Sequence, residues 1–148
     1  MALISATKIF FLSMALVGST LAQSSEFERI KQRAEQGNAV AQLNLGLLYF
    51  EGKDVSRNPA EAYKWFKLAA NQGDPKAEYY LAVMYSQGDG VPQDNVKSFV
   101  WYELAVGRGI EAAKDERGVV VKLLTSREIV RGYGLARKCI DQAYINCE

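Results

Sequence analysis

A segment of 36 residues occurs twice in this chain, and no other sequence feature restricts its fold so strongly. Residues 38–73 align with residues 74–109 without a gap. The shared positions include tryptophan, tyrosine, glycine, leucine and alanine: Trp65 with Trp101, Tyr49 with Tyr85, Gly52 with Gly88, Gly73 with Gly109, Leu45 with Leu81, and Ala41 with Ala77. A period of this length is typical of a solenoid, in which each unit buries its apolar face against the next.

Each copy has the pattern of two helices joined by a loop. In the first copy the apolar spacing predicts a helix from about Ala39 to Glu51, and Gly52 ends it. Asn58 then caps a second helix over Pro59–Asn71, because asparagine is favoured at the N-cap and proline at the first helical position. The second copy repeats these signals.

The flanking segments extend the solenoid at both ends. Before the first copy, Phe27, Ile30 and Ala34 fall on one helical stripe, which matches the second half of a repeat. Beyond residue 109 the pattern changes, and we predict a capping helix over about 111–124. A capping box then opens a last helix, whose predicted packing side is formed by Ile129, Leu135, Ala136 and Ile140. The fold class is therefore all-α: an α/α solenoid of antiparallel helix pairs, with two full repeats, an N-terminal half repeat and a C-terminal cap over 110–148.

Residues 1–22 have the pattern of a cleaved signal peptide. Lys8 precedes the apolar run Ile9–Val17, and Thr20 and Ala22 stand at the two positions that a signal peptidase recognises. The run is about half the ~20 residues that span a membrane, which weighs against the alternative of an uncleaved anchor. We predict an exported domain over 23–148 with no stable membrane anchor after cleavage. The periplasm is the expected location, and the surrounding medium is the alternative.

Export makes the two cysteines interpretable. In an oxidising compartment Cys139 and Cys147 are expected to form a disulfide. Residues eight apart on a continuous helix lie about 12 Å from each other, so the helix must end between them. The alternative, a redox-active pair, lacks the usual CxxC spacing.

Composition argues against several classes of function. The net charge of +1 gives no electrostatic reason to expect nucleic acid as a partner. The absence of histidine removes the commonest general base and the usual nucleophile pairs, so we predict a non-enzyme that needs no cofactor or metal. Glu51 and Glu78 are the alternative acid–base pair, weighed against the interpretation that both are exposed surface carboxylates.

The repeated residues resemble the Sel-one-like (Sel1-like) repeat family, a longer relative of the tetratricopeptide repeat. The first copy carries its pattern at these positions: Ala41, Leu45, Gly46, Tyr49, Gly52, Val55, Asn58, Ala62, Trp65, Ala69, Ala70 and Gly73. Asp54 departs from it, since the second copy has the family's glycine there, as Gly90. The resemblance covers about residues 34–138. It implies a solenoid whose concave surface holds a protein or peptide, in a family of cell-envelope adaptors and regulators with some members linked to host interaction.

A partner-binding surface is expected beside the buried stripe of each first helix. Positions spaced i, i+4 and i+7 share one face, and they predict a concave patch formed by Asn44, Leu48, Glu51, Tyr80, Met84 and Gln87. The alternative for Leu48 and Met84 is packing between helices. Trp65 and Trp101 are interpreted as packing residues because they recur in both copies.

Three functions are compatible with the sequence. The first is an envelope adaptor or regulator, the second a secreted host-interaction factor, and the third a hydrolase acting on cell wall or β-lactams. Because the core of two repeats is small, homodimerisation through the terminal helices is also left open.

Overall fold

The computed structural model describes residues 25–144 and residue 147, and this part of the chain contains seven helices and no strand. Residues 25–35 form α1. The next six helices are α2 (Ala39–Glu51), α3 (Pro59–Ala70), α4 (Pro75–Gln87), α5 (Asn95–Gly107), α6 (Ala112–Val121) and α7 (Ser126–Asp141). The predicted all-α solenoid is confirmed. The predicted signal peptide lies outside the described residues, and the division of the chain at residue 22 stays a prediction.

Polar side chains begin the helices where the sequence predicts. In four cases the side-chain oxygen of the residue before the helix accepts a hydrogen bond from a backbone N–H three residues on: Asn38 at 2.9 Å, Asn58 at 3.2 Å, Asp74 at 2.9 Å and Asp94 at 2.9 Å. Each such cap stabilises its helix by about 1 kcal/mol. Gly52 and Gly88 end α2 and α4 in the left-handed region, with φ of 71° and 68°. The helix α3 ends at Ala70, one residue before the predicted end.

The loops inside the two repeats have matching conformations. Gly90 has φ of 74°, and a Cβ at this position would lie 2.6 Å from the carbonyl carbon of Pro59 in the first repeat. The equivalent residue Asp54 also has positive φ, at 63°. Aspartate is one of the few residues with a side chain that tolerates this region, which explains how the loop keeps its shape without glycine.

The core lies between successive helices and holds the repeated residues. Its largest fully buried side chains in the described residues include Trp101, Tyr102, Phe66, Phe99, Leu45, Leu81 and Met84. A smaller cluster under α1 is formed by Ala34, Ala41 and Leu45, and Trp65 packs against it. Both tryptophans therefore pack within the solenoid, as their recurrence predicts.

The C-terminal cap differs from the sequence prediction in two details. The helix α6 spans Ala112–Val121 and is shorter than the predicted 111–124. The helix α7 does begin with a capping box formed by Thr125 and Glu128. The placement of Ile140 on the packing side is wrong, since this residue is 52% exposed. The helix α7 packs instead through a side that includes Gly132, Ala136 and Cys139, and Ile140 lies outside that stripe.

The predicted disulfide is present. Cys139 and Cys147 are bonded, with their Cα atoms 4.7 Å apart. The helix α7 ends between them at Asp141, as the spacing requires. Ala143 and Tyr144 both have positive φ, at 52° and 66°, and the backbone leaves the helix direction there.

Candidate protein-binding surface on the first helices

The six predicted partner-binding residues do not lie on one open face. Asn44, Glu51 and Gln87 are exposed, whereas Leu48 and Tyr80 are only half-buried. Met84 has no exposed surface, so its side chain cannot contact a partner in this structure. Leu48 packs against the small cluster under α1. For these last two residues the structure agrees with the packing alternative.

The difference between the predicted and the observed open face comes from helix geometry. On a helix, residues i+3 and i+4 are both neighbours of residue i, so the sequence spacing alone does not show which of the two shares its exposed face. Met84 is fully buried, whereas Val83, one position earlier, is half-buried and packs against the edge of the core. On α2, Leu47 and Leu48 are both half-buried. The i, i+3, i+7 stripe is therefore the more exposed one on α4, and the repeat register extends it to α2 and α6.

The outward stripes of α2, α4 and α6 share the 36-residue register, and we call them together the A-helix surface. Its members are Val40, Asn44, Leu47 and Glu51 on α2, Lys76, Tyr80, Val83 and Gln87 on α4, and Ala112, Glu116, Val119 and Leu123 on or just after α6. Three of the apolar members are strongly exposed: Val40 at 61%, Val119 at 56% and Leu123 at 62%. Apolar side chains thus remain open on the first and last of these helices.

Aromatic rings tie α2 to α4 behind this surface. The Tyr80 ring stacks on Phe66 with centroids 5.1 Å apart, and its edge meets Phe50 at 5.7 Å. The Tyr79 ring contacts the Tyr80 ring with centroids 5.4 Å apart, and it contacts the Tyr102 ring on α5 with centroids 5.9 Å apart. These rings form a continuous aromatic row from α2 to α5. Because aromatic pairs of this kind contribute about 0.5–1.5 kcal/mol each beyond area burial, these contacts hold the Tyr80 ring in place.

The α6 side of the surface is electrostatically coupled to this row. Burial, and then the nearby Glu116 carboxylate, raises the pKa of Tyr79. Burial also raises the pKa of Tyr102 to about 12, against a hydrogen bond with Ser86 that lowers it. The phenols of Tyr79 and Tyr102 therefore stay neutral at physiological pH.

The rim next to the aromatic row is polar. Arg57 forms an ion pair with Asp89, which joins the loops of the two repeats. The Arg57 Nε atom also donates to the Phe50 carbonyl at 3.0 Å. In the second repeat Gln93 takes the place of Arg57, and its Nε2 atom donates to the Ser86 carbonyl at 2.9 Å. These contacts fix the loop edges that border the A-helix surface.

The structure buries Glu78, which the sequence analysis places at the surface. It was interpreted as a surface carboxylate, but its side chain has no exposed surface, and neither carboxyl oxygen has a hydrogen-bond partner. Burial raises its pKa from 4.5 to about 7, although Arg108 acts in the opposite direction. In the first repeat the same position holds Gln42, which is 4% exposed, so both repeats bury a polar side chain there. Glu51 is exposed, so the two carboxylates occupy different environments.

Within the described residues, no group of three or more histidine, cysteine, aspartate or glutamate side chains is placed to hold a metal ion. In the same part of the chain, no helix combines the length and the apolar character needed to cross a membrane.

Comparison with known proteins decides the family. The Sel1 repeat model matches residues 39–74 and 75–109, which are the two copies seen in the sequence. The chain is a Sel1-like repeat protein. This family consists of protein-interaction scaffolds that are generally non-enzymatic.

Solved structures resemble the fold of this Sel1-like repeat chain. One is a protective antigen present in uropathogenic Escherichia coli strains and displaying an SLR fold, with a TM-score of 0.75 and 28% identity over 80% of this chain and 26% of that chain. Another is a Sel1 repeat protein from Oxalobacter formigenes, with a TM-score of 0.60 and 35% identity over 63% of this chain and 38% of that chain.

A curated relative matches a shorter segment. It is the secretory immunoglobulin A-binding protein EsiB of Escherichia coli O6:H1, 41% identical over 55 residues, which are 37% of this Sel1-like repeat chain and 11% of the relative. The chain thus spans only about a tenth of this relative and between a quarter and two fifths of the two solved structures.

Proposed function

We propose that this chain is a non-enzymatic adaptor or regulator of the bacterial cell envelope that holds a protein or peptide on its A-helix surface. The observation that carries the proposal is the pattern of exposure on that surface. Val40, Val119 and Leu123 stay open to solvent on or just after helices that bury another apolar side in the core. Exposed apolar side chains bordered by polar groups are typical of protein interaction sites.

The chemistry of the surface favours an extended or helical segment with apolar anchors. The half-buried Tyr80 and Val83 lie between the exposed apolar residues of α2 and α6. Glu51 on α2 and Glu116 on α6 are exposed acidic members of the A-helix surface, and Lys76 on α4 is its basic member. A partner with apolar side chains at its centre and basic residues at its flanks complements this arrangement.

The predicted signal peptide and the disulfide support the envelope as the location of the protein. The proposal takes residues 1–22 as a signal peptide, and the Cys139–Cys147 disulfide suits an oxidising compartment. Fractionation of cells that produce the full chain tests this part, and it separates the periplasm from the medium.

The binding experiment uses affinity capture from an envelope extract with residues 23–148. The test variant is Val119→Lys/Leu123→Lys, which puts two charges on exposed positions of the A-helix surface. The control variant is Leu68→Lys, which changes a 45% exposed leucine on α3. We expect a partner that is retained by the wild type and by the control and is reduced at least about tenfold with the test variant. Equal retention by all three proteins would place the binding site elsewhere.

A host-directed function is the second candidate, and the relative named for binding secretory immunoglobulin A favours it. The test is direct: immobilised secretory immunoglobulin A, with the wild-type chain and the Val119→Lys/Leu123→Lys variant as analytes. Saturable binding that the variant loses supports this candidate on the same surface. No binding at concentrations of about 100 µM, which corresponds to less than about 5.5 kcal/mol of affinity, excludes it.

A further inference from the structure

We propose that Tyr63, Lys67, Tyr85 and Lys97 form a carboxylate-binding site, and that its occupant is the side chain of Glu148 of the same chain. The four residues of the site belong to α3, α4 and α5, and none of them is a member of the A-helix surface. The inference therefore does not depend on the proposed function.

Two phenol groups supply the hydrogen-bonding part of the site. The hydroxyl oxygens of Tyr63 on α3 and Tyr85 on α4 lie 3.0 Å apart, and one of the two hydroxyls donates to the other. This bond uses one of the two hydroxyl hydrogens, so the other hydrogen of the pair serves a further acceptor. Tyr85 is only 4% exposed, and Tyr63 is half-buried. A carboxylate is a suitable acceptor here, because hydrogen bonds to an ionised group are the stronger kind.

Two lysines place positive charge beside the phenol pair. The Nζ atom of Lys67 lies 6.0 Å from the centroid of the Tyr63 ring and 6.0 Å from that of the Trp101 ring. The Nζ atom of Lys97 lies 5.2 Å from the centroid of the Tyr85 ring. Cation–π attraction of this kind holds each ammonium group near the phenol pair. Two cations beside a hydroxyl donor favour an anionic acceptor over a neutral one.

The repeats show that ring packing alone does not require this combination. The preceding interface has the same edge-to-face pair, formed by Phe27 and Tyr49, at 6.2 Å and 87° against 6.0 Å and 87° here. Phenylalanine has no hydroxyl, and Glu61 stands in that interface at the position of Lys97. At the following interface Val121 replaces the second tyrosine. Contacts that only build the repeat recur in each unit, so the second hydroxyl and the second lysine indicate a local role.

A cavity joins this cluster to the C-terminal segment. It has a volume of about 370 Å³, and its lining includes Lys97, Arg131 and Cys147. Neither Lys97 nor Arg131 forms an ion pair within the described residues. Asp94 also lines the cavity, but its carboxylate already accepts a hydrogen bond from the Lys97 backbone N–H at 2.9 Å. The described part of the cavity wall therefore carries more positive than negative charge.

Chain connectivity identifies the occupant. Glu148 follows Cys147 directly and lies outside the described residues. The disulfide to Cys139 fixes Cys147 at the cavity, where it is 8% exposed. Since successive Cα atoms are about 3.8 Å apart, Glu148 starts at the cavity edge, within reach of Lys97. Its carboxylate supplies the negative charge that the cluster lacks.

A double-mutant cycle on residues 23–148 tests the contact. Glu148→Gln removes the charge of the occupant, and Lys67→Met removes one cation but keeps an apolar side chain. Urea unfolding at physiological salt is measured for the wild type, both single variants and the double variant. We expect the two substitutions to be non-additive by at least about threefold in the unfolding equilibrium constant. The control is Lys64→Met on the same helix, because Lys64 pairs with Glu61, and it is expected to be additive with Glu148→Gln.

Nuclear magnetic resonance gives a second measurement that does not depend on stability. The ring signals of Tyr63 and Tyr85 are expected to shift in Glu148→Gln and to stay unchanged in the control Glu111→Gln, which alters an exposed carboxylate on another helix. Acetate, added at constant ionic strength, serves as a carboxylate probe. We expect it to shift the two tyrosine signals in Glu148→Gln, where the site is vacated, and to leave those of the wild type in place.

Additive effects of Glu148→Gln and Lys67→Met would overturn the proposal, as would unchanged tyrosine signals in Glu148→Gln. Equal coupling of Glu148 to Lys64 and to Lys67 would also overturn it, since the coupling would then be a general effect of charge. If acetate shifts the tyrosine signals of the wild type as strongly as those of Glu148→Gln, Glu148 is not the occupant. If acetate shifts neither set, the cluster is not a carboxylate-binding site.

Discussion

At the scale of single residues, the two repeats differ most at one buried position. The Gln42 Nε2 atom donates to the Ala34 carbonyl at 3.2 Å, and its Oε1 atom accepts from Gln72 at 2.7 Å. Glu78 takes the place of Gln42 in the second repeat, and its carboxyl oxygens lack hydrogen bonds. A buried carboxylate without partners is costly, whereas its protonated form is close in shape to glutamine and can donate.

The consequence is a pH dependence of stability. Burial raises the pKa of Glu78 from 4.5 to about 7, so the folded state holds more protons than the unfolded state between these values. The contribution of this group to the free energy of unfolding therefore falls as the pH rises from 4.5 to about 7, by up to about 3 kcal/mol. We expect Glu78→Gln to stabilise the protein at pH 8 and to have little effect at pH 4.5.

Urea unfolding at several pH values measures this difference. The matched control is Gln42→Glu, which creates the same carboxyl in the first repeat, where Gln72 stands in place of an arginine. That variant is expected to lose stability above neutral pH. If the free energy of unfolding of Glu78→Gln changes with pH as the wild type does, the buried carboxyl is not the titrating group.

The glycine contacts give a second prediction at this scale. Gly132→Ala introduces a Cβ that would lie 2.5 Å from the Phe99 ring, and we expect a loss of about 1–3 kcal/mol through overpacking. Gly118→Ala, in α6, adds a Cβ with nothing within 4 Å and is expected to stabilise by up to about 1 kcal/mol. Thermal unfolding of both variants at low protein concentration distinguishes them. Equal destabilisation by the two substitutions would contradict the close packing of α7 on α5.

At the scale of helices, the sequence predicted the boundaries well because short-range chemistry determines them. Asn58 and Asp94 cap α3 and α5, and Gly52 ends α2, through contacts within a few residues. Which side of a helix is buried depends on the neighbouring helices, which the local pattern does not contain. The sequence therefore left Met84 open between partner binding and packing, placed Ile140 on the wrong side of α7, and placed Glu78 at the surface, whereas the structure buries Met84 and Glu78 and exposes Ile140.

A disulfide lies at the C-terminal end of α7. The helix ends at Asp141, and the bond joins Cys139 in its last turn to Cys147 beyond it. Replacing both cysteines with serine is expected to lower the free energy of unfolding by roughly 2–3 kcal/mol, since so short a loop restricts the unfolded chain only moderately. Comparison of the melting temperatures of the double variant and of the reduced wild type measures this effect. Unchanged stability in both would show that the cap folds without the bond.

At the scale of the whole molecule, the chain is a short solenoid with two separate open surfaces. The A-helix surface spans α2, α4 and the α6 segment, whereas the outward face of α7 lies beyond them at the C-terminal end. The sequence indicated that a binding surface would lie on the first helices, and the structure was needed to select the residues that reach solvent.

Site-specific photo-cross-linking in growing cells shows whether another protein contacts the A-helix surface. A photoreactive phenylalanine analogue replaces Val119 on the A-helix surface, which is 56% exposed, or Leu68 on α3, which is 45% exposed and serves as the control. We expect a discrete adduct with another protein from position 119 and none from position 68. An adduct from position 68 alone, or equal adducts from both, would contradict binding on the A-helix surface.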